Sequence, residues 1–126
     1  MNKYGNKKYI AFNREFDSKK EGLRYIELKT LQMGGVISEL ECQKQFELLS
    51  TRHYGKEVVH GCKYIVDFWY YDKQRKEYVA EEIKGYETES FKIKKKLFLE
   101  KYVSSGRCSY LEIKEKPIYY EKSEKK

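Results

Sequence analysis

Tyr64-Ile65-Val66-Asp67-Phe68-Trp69-Tyr70-Tyr71, and after the polar stretch 72–77 Tyr78-Val79-Ala80-Glu81-Glu82-Ile83-Lys84, are the segments that decide the fold. Both are rich in β-branched and aromatic residues and too short for buried helices, so both read as strands. The polar stretch between them predicts a hairpin, although no Asn-Gly turn signature is present. If the hairpin turns about Gln74 and Arg75, paired residue numbers sum to 149. Asp67 then lies opposite Glu82, with backbones about 5 Å apart.

Working outward, Ser18 precedes Lys19-Lys20-Glu21 as an N-cap, which predicts a helix over 18–32 closed by Met33-Gly34-Gly35. Residues 36–49 alternate in short stretches and supply a further strand. Phe91, Phe98 and Tyr102 share one face at helical spacing, which predicts a second helix over 90–102, ended by Ser104-Ser105-Gly106. Residues 107–113 alternate as a last strand. The order αβββαβ implies an α/β (α+β) sandwich with a mixed sheet. The 126 residues suit a single domain, with 1–8 expected to be flexible and the charge-dense 114–126 expected to fray.

Lys and Arg number 27 against 20 Asp and Glu, giving a formal charge of +7, which favours a polyanionic partner. Cys42, Cys62 and Cys108 are odd in number and lack a CxxC pair, so reduced thiols in a cytoplasm are expected rather than a disulfide framework. No apolar run approaches a membrane span, and no export signal or membrane partner is expected. His53, His60 and Cys62 do not match the spacing of a zinc site.

Strand alternation places Glu82 and Lys84 on one face and Ile83 on the other. Two carboxylates facing each other across strands repel unless a cation lies between them, and hard oxygen donors suit Mg²⁺. The spacing equally admits a solvated sheet face on which Lys84 is a cross-strand ion partner. Against that reading, Asp67 interrupts the most hydrophobic strand of the chain, where an unpaired charge is costly.

Asp67 followed after fourteen residues by Glu82-Ile83-Lys84 resembles the signature of the PD-(D/E)xK nucleases, and a preceding helix bearing Glu21 and a following lysine-rich helix resemble the context of that signature. Lys3 to Lys8, Phe16 to Glu21 with Arg24-Tyr25, and Lys84-Gly85 followed by Phe91-Lys92 further resemble an uncharacterised bacteriophage group assigned to that superfamily. Val66 stands where the name-giving motif has Pro. The resemblance implies a restriction-endonuclease-like core, with Asp67 and Glu82 as metal ligands, the Ile83 carbonyl as a further ligand, Lys84 beside the attacking water and Glu21 assisting from the helix. It also implies Mg²⁺, replaceable by Mn²⁺, and hydrolysis of DNA phosphodiesters. Branched substrates such as Holliday junctions or recombination intermediates of a phage would suit a homodimer acting in the host cytoplasm.

Glu21 has a second reading, since Ser18-Lys19-Lys20-Glu21 is also a capping box. Lys92, Lys95 and Lys96 fall at i, i+3 and i+4 on the second helix as a basic strip, extended by Lys19 and Lys20, that could hold DNA phosphates or could be a solvated face. Tyr54 and Tyr86 are candidates for stacking on bases, and Gln43 for hydrogen bonding at the edge of the site. The alternative function is a non-catalytic nucleic-acid-binding module on a nuclease scaffold.

Overall fold

In the computed structural model, which describes residues 8–85 and 87–124, a five-stranded sheet carries one helix on each face. Its strands are β3 (Ile37–Leu49), β6 (Cys62–Asp72), β7 (Glu77–Ile83), β8 (Ser109–Ile113) and β9 (Ile118–Tyr120), in that spatial order. All neighbours are antiparallel except β7 and β8, which are parallel, so the sheet is mixed as expected. The parallel pair is joined by α2 (Glu89–Phe98), which continues as a wider π-helical turn over Leu99–Val103. Helix α1 (Lys19–Met33) begins at Ser18, whose Oγ accepts the Glu21 N–H at 3.1 Å. The order α1, β3, β6, β7, α2, β8 matches the expected αβββαβ series.

Two aromatic clusters sandwich the sheet. Tyr25 and Leu28 of α1 pack with Phe16, Ile37, Phe68, Tyr70 and Val79 on one side. Phe98 packs with Phe46, Tyr64, Val66, Trp69, Ala80 and Tyr110 on the other. Strict alternation would keep Val66 and Phe68 on one face. They lie in opposite clusters, as do Cys42 and Phe46 on the neighbouring strand, so both strands rotate between these positions. Gln43, at the rotation point of β3, has φ +54°. Asp67 lies at the corresponding point of β6 and so reaches the margin of both layers.

Three elements depart from expectation. A hairpin of β1 (Tyr9–Ala11) and β2 (Arg14–Phe16) turns on Phe12 and Asn13, both at positive φ, without the glycine that would have marked it. A second hairpin, β4 (Arg52–Tyr54) and β5 (Glu57–Val59), is exposed on every residue and therefore has no apolar alternation to detect. The segment expected to fray from Lys114 instead returns as β9, because Tyr119 and Tyr120 pair with Leu111 and Tyr110. Residues 1–7, part of the segment expected to be flexible, lie outside the described residues, as does Tyr86. Lys8 is ion-paired with Asp17 at 2.8 Å. Among the described residues no helix is long and apolar enough to cross a membrane.

Candidate functional site

The β6–β7 ladder pairs Asp72 with Glu77 through Phe68 with Glu81, every pair in the expected register. The four residues between the strands are closed by Asp72, whose Oδ1 accepts the N–H groups of Gln74 and Arg75, and by Lys76 at φ +59°. This local side-chain cap does the work of the absent Asn-Gly pair. Asp67 and Glu82 lie one step past the last paired rung, where the strands begin to part. There the Ile83 N–H donates to Asp67 Oδ2 at 2.7 Å, and Gln43 Nε2 donates to Oδ1 at 3.4 Å. The backbone group of Ile83 that contacts the acid is thus its N–H, while its side chain packs on the α1 side.

Glu21 reaches the same place from the first turn of α1. Its backbone N–H completes half of the capping box with Ser18, while its carboxyl hydrogen-bonds Asp67. Burial, then the hydrogen bond with Asp67, then the charge of Asp67 push the Glu21 carboxyl up to about 8. Asp67 is also raised, by burial, although its bonds from Glu21, the Ile83 N–H and Gln43 pull in the other direction. At neutral pH, Glu21 therefore keeps a proton and donates it to the Asp67 carboxylate. Glu82 is pushed up to about 9, first by burial and then by the charges of Asp67, Glu21 and Glu112. Its Oε1 is buried with no hydrogen-bond partner among the described residues.

A buried carboxyl oxygen without a partner, beside two further acids, is a place where a hard cation would satisfy the open lone pairs. Asp67 and Glu82 provide the one or two carboxylates that Mg²⁺ prefers, leaving its remaining positions to water and phosphate. Among the described residues no group of three or more His, Cys, Asp or Glu is gathered closely enough to hold a metal by itself. The donor set therefore fits an open, water-completed site and not a closed protein cage.

Lys84 is placed differently from the expectation. Its Nζ lies 3.0 Å from Glu87 and 3.5 Å from Glu112, and its ion pairs among the described residues are these two. Glu112, 2% exposed, sits on β8 in register with Glu82 and also takes Lys95 Nζ at 2.6 Å. Burial alone would raise the Glu112 carboxyl, but the Lys95 and Lys84 ammonium groups hold it below its usual value. Glu112 thus anchors Lys95 inside the fold, away from the basic strip on which its spacing placed it. Lys92 is exposed and lies 3.6 Å from Glu89, Lys96 is exposed, and Lys19 and Lys20 are exposed at the start of α1. Tyr54, 64% exposed, is presented by the β4–β5 hairpin.

Two participants escaped the sequence reading. Glu112 resembles any acid in an alternating strand, and only the parallel pairing of β8 brings it beside Glu82. Lys94 lines a cavity with Glu82 between β6 and α2. Its signal was legible: it falls three residues after Phe91 and four before Phe98, inside the apolar stripe instead of opposite it.

Comparison with known proteins yields no matching curated protein and no matching solved structure. One family model, described as a protein of unknown function (DUF1064), matches residues 1–120. That match spans α1, the three central strands, α2 and β8, together with all the acids of the site, and the chain belongs to the DUF1064 family.

Proposed function

We propose that the chain is a divalent-metal-dependent DNA endonuclease on a restriction-endonuclease-like core. The observation that carries the reading is the buried Glu82 Oε1, without a partner among the described residues, beside Asp67 and Glu21 at the point where β6 and β7 part. The resemblance of Asp67 and Glu82-Ile83-Lys84 to the PD-(D/E)xK signature, the αβββαβ order and the charge of +7 support the same reading. A Mg²⁺ or Mn²⁺ ion held by Asp67 and Glu82 would supply Lewis acidity to a phosphate and acidify a water. Asp67 is aimed by the Ile83 N–H and Gln43, so its free lone pairs have a fixed direction. Glu21 holds a proton against Asp67 and can surrender it when the local charge changes, which suits an acid that adjusts the charge of the site. Lys84 is one residue past the end of β7, and on this reading its ammonium leaves Glu87 to orient water or steady charge on the phosphate.

The direct test is cleavage by purified protein with Mg²⁺ or Mn²⁺, comparing linear, single-stranded, flapped and four-way DNA. Asp67→Asn and Glu82→Gln are each expected to lower turnover by at least ~10²-fold while DNA affinity stays within a few-fold, because the acids serve the chemistry and the lysines serve binding. Unchanged turnover in both variants would remove these acids from the mechanism. Preference for the four-way substrate, with a two-fold dimer in solution, is the expectation for a phage recombination enzyme.

The engagement of Lys84 by Glu87 and Glu112 favours a second reading, a nucleic-acid-binding module without catalysis. That module would bind the same DNAs and leave them intact with either metal.

A further inference from the structure

Lys94 occupies an unusual place for a lysine. Phe91, Lys94 and Phe98 follow one face of α2, and the two rings are packed against Tyr64, with centroids 5.9 and 5.0 Å away. A half-buried lysine in such a stripe gains from covering apolar surface with its stem, but its ammonium needs water or an anion. Its neighbours on the helix have theirs: Lys92 pairs with Glu89 and Lys95 with Glu112. Lys94 has no ion pair among the described residues, and the ammonium of Lys63 meets only the neutral Gln45, at 3.2 Å.

These two lysines open onto a common cavity of about 290 Å³ between β6 and the first turn of α2. Thr88 and Ser90 bring hydroxyl groups to its lining, Tyr64 and Phe91 form an aromatic wall, and Glu82 is its one acid. Two cations and two hydroxyls against a single carboxylate make a lining suited to an anion that carries an organic group. Because Glu82 belongs both to this cavity and to the carboxyl cluster, an anion held here would be next to one held at Asp67.

We propose that this cavity is a second phosphate subsite, in which Lys63 and Lys94 hold a phosphodiester neighbouring the scissile one on the same nucleic-acid strand. The inference rests on the nuclease reading and adds to it a pair of binding residues and a path for the strand, running from the carboxyl cluster over β6 toward α2. The subsite positions the substrate and takes no part in bond cleavage.

The experiment is a salt titration of binding to fluorescent duplex and four-way DNA in Ca²⁺, together with steady-state cleavage in Mg²⁺. It compares the wild type, Lys63→Gln/Lys94→Gln, the charge-matched Lys73→Gln/Lys76→Gln and Asp67→Asn. Lys73 and Lys76 are exposed in the β6–β7 turn, at the opposite end of β6 from Lys63. The subsite predicts that the first pair flattens the slope of log K against log salt by about 1–2 and raises KM roughly tenfold with kcat little changed. Lys63→Arg/Lys94→Arg should restore both, and the control pair should alter neither by as much. Equal effects from the two pairs would reduce Lys63 and Lys94 to general surface charge and overturn the subsite, even if the wild type cleaves and Asp67→Asn does not. A wild type that neither binds nor cleaves DNA would overturn the subsite and the nuclease reading together.

Discussion

Glu82 is the residue at which the energetics of the molecule are most exposed to experiment. An unfolded glutamate ionises near 4.5, whereas the folded protein holds this carboxyl up to about 9. Between those values the folded state binds the extra proton, so the stabilisation is fully present below pH 4.5 and is lost as pH rises through 9. Glu21, raised to about 8, acts in the same sense. Glu82→Gln is neutral at every pH, so its advantage over the wild type should be small at pH 5 and grow to several kcal/mol, roughly 3–6, by pH 9 in the absence of divalent ions. Thermal melts across that range would read the difference, and curves that stay parallel would refute it. Mg²⁺ or Mn²⁺ should raise the melting temperature of the wild type most at pH 8–9, and should do little for Asp67→Asn or Glu82→Gln. Glu21 gives its backbone N–H to the Ser18 cap, but its carboxyl turns to Asp67 instead of returning to the Ser18 backbone as a full capping box would require.

Adjacent acids on β7 divide their roles because a strand alternates its faces. Glu82 faces the α2 side, whereas Glu81, fully buried, faces α1 and receives Arg24 through Nε at 2.5 Å and Nη2 at 2.9 Å. The Tyr70 hydroxyl adds a third bond at 2.8 Å. This fork ties α1 to the central strand and so sets where Glu21 meets Asp67. Arg24→Ala would leave a buried carboxylate with one neutral donor, and should cost about 3–5 kcal/mol, read as a large fall in the denaturation midpoint. A loss below ~1 kcal/mol would mean that the pair contributes little to the joint between helix and sheet. The hairpin register was legible because the polar turn is short and its two flanking strands are strongly apolar. The turn at Phe12-Asn13 was not, since it carries no glycine, and the β4–β5 ribbon, although Gly55 stands in its turn at φ +67°, buries no alternating face.

Across the whole molecule the excess positive charge is unevenly available. Lys84 and Lys95 are consumed by Glu112 and Glu87, while Lys19, Lys20 and Lys96 remain on the surface. DNA affinity should fall linearly on a log–log plot with salt, and Lys92→Gln/Lys96→Gln should shallow that line by no more than about 2. Lys95→Gln should instead lower stability with little effect on the slope, because it leaves buried Glu112 with Lys84 as its one cation beside the Tyr120 hydroxyl. A steep loss of DNA affinity in Lys95→Gln without loss of stability would return this lysine to the binding surface.

Local chemistry was enough to locate the helices, the central strands, their shared register and the acids Asp67 and Glu82, because caps, apolar periodicity and strand alternation act over a few residues. It could not say that β6 and β3 rotate near Asp67, that Ile83 offers Asp67 its N–H, or that β8 sets Glu112 beside Glu82. Those facts come from contacts between segments distant in the chain. They decided that the amine of Lys84 is drawn to Glu112 as well as to its chain neighbour Glu87, and that Lys63 and Lys94 meet at Glu82's cavity. A partner such as Glu112 is chosen by distance in space, which no spacing along the sequence encodes.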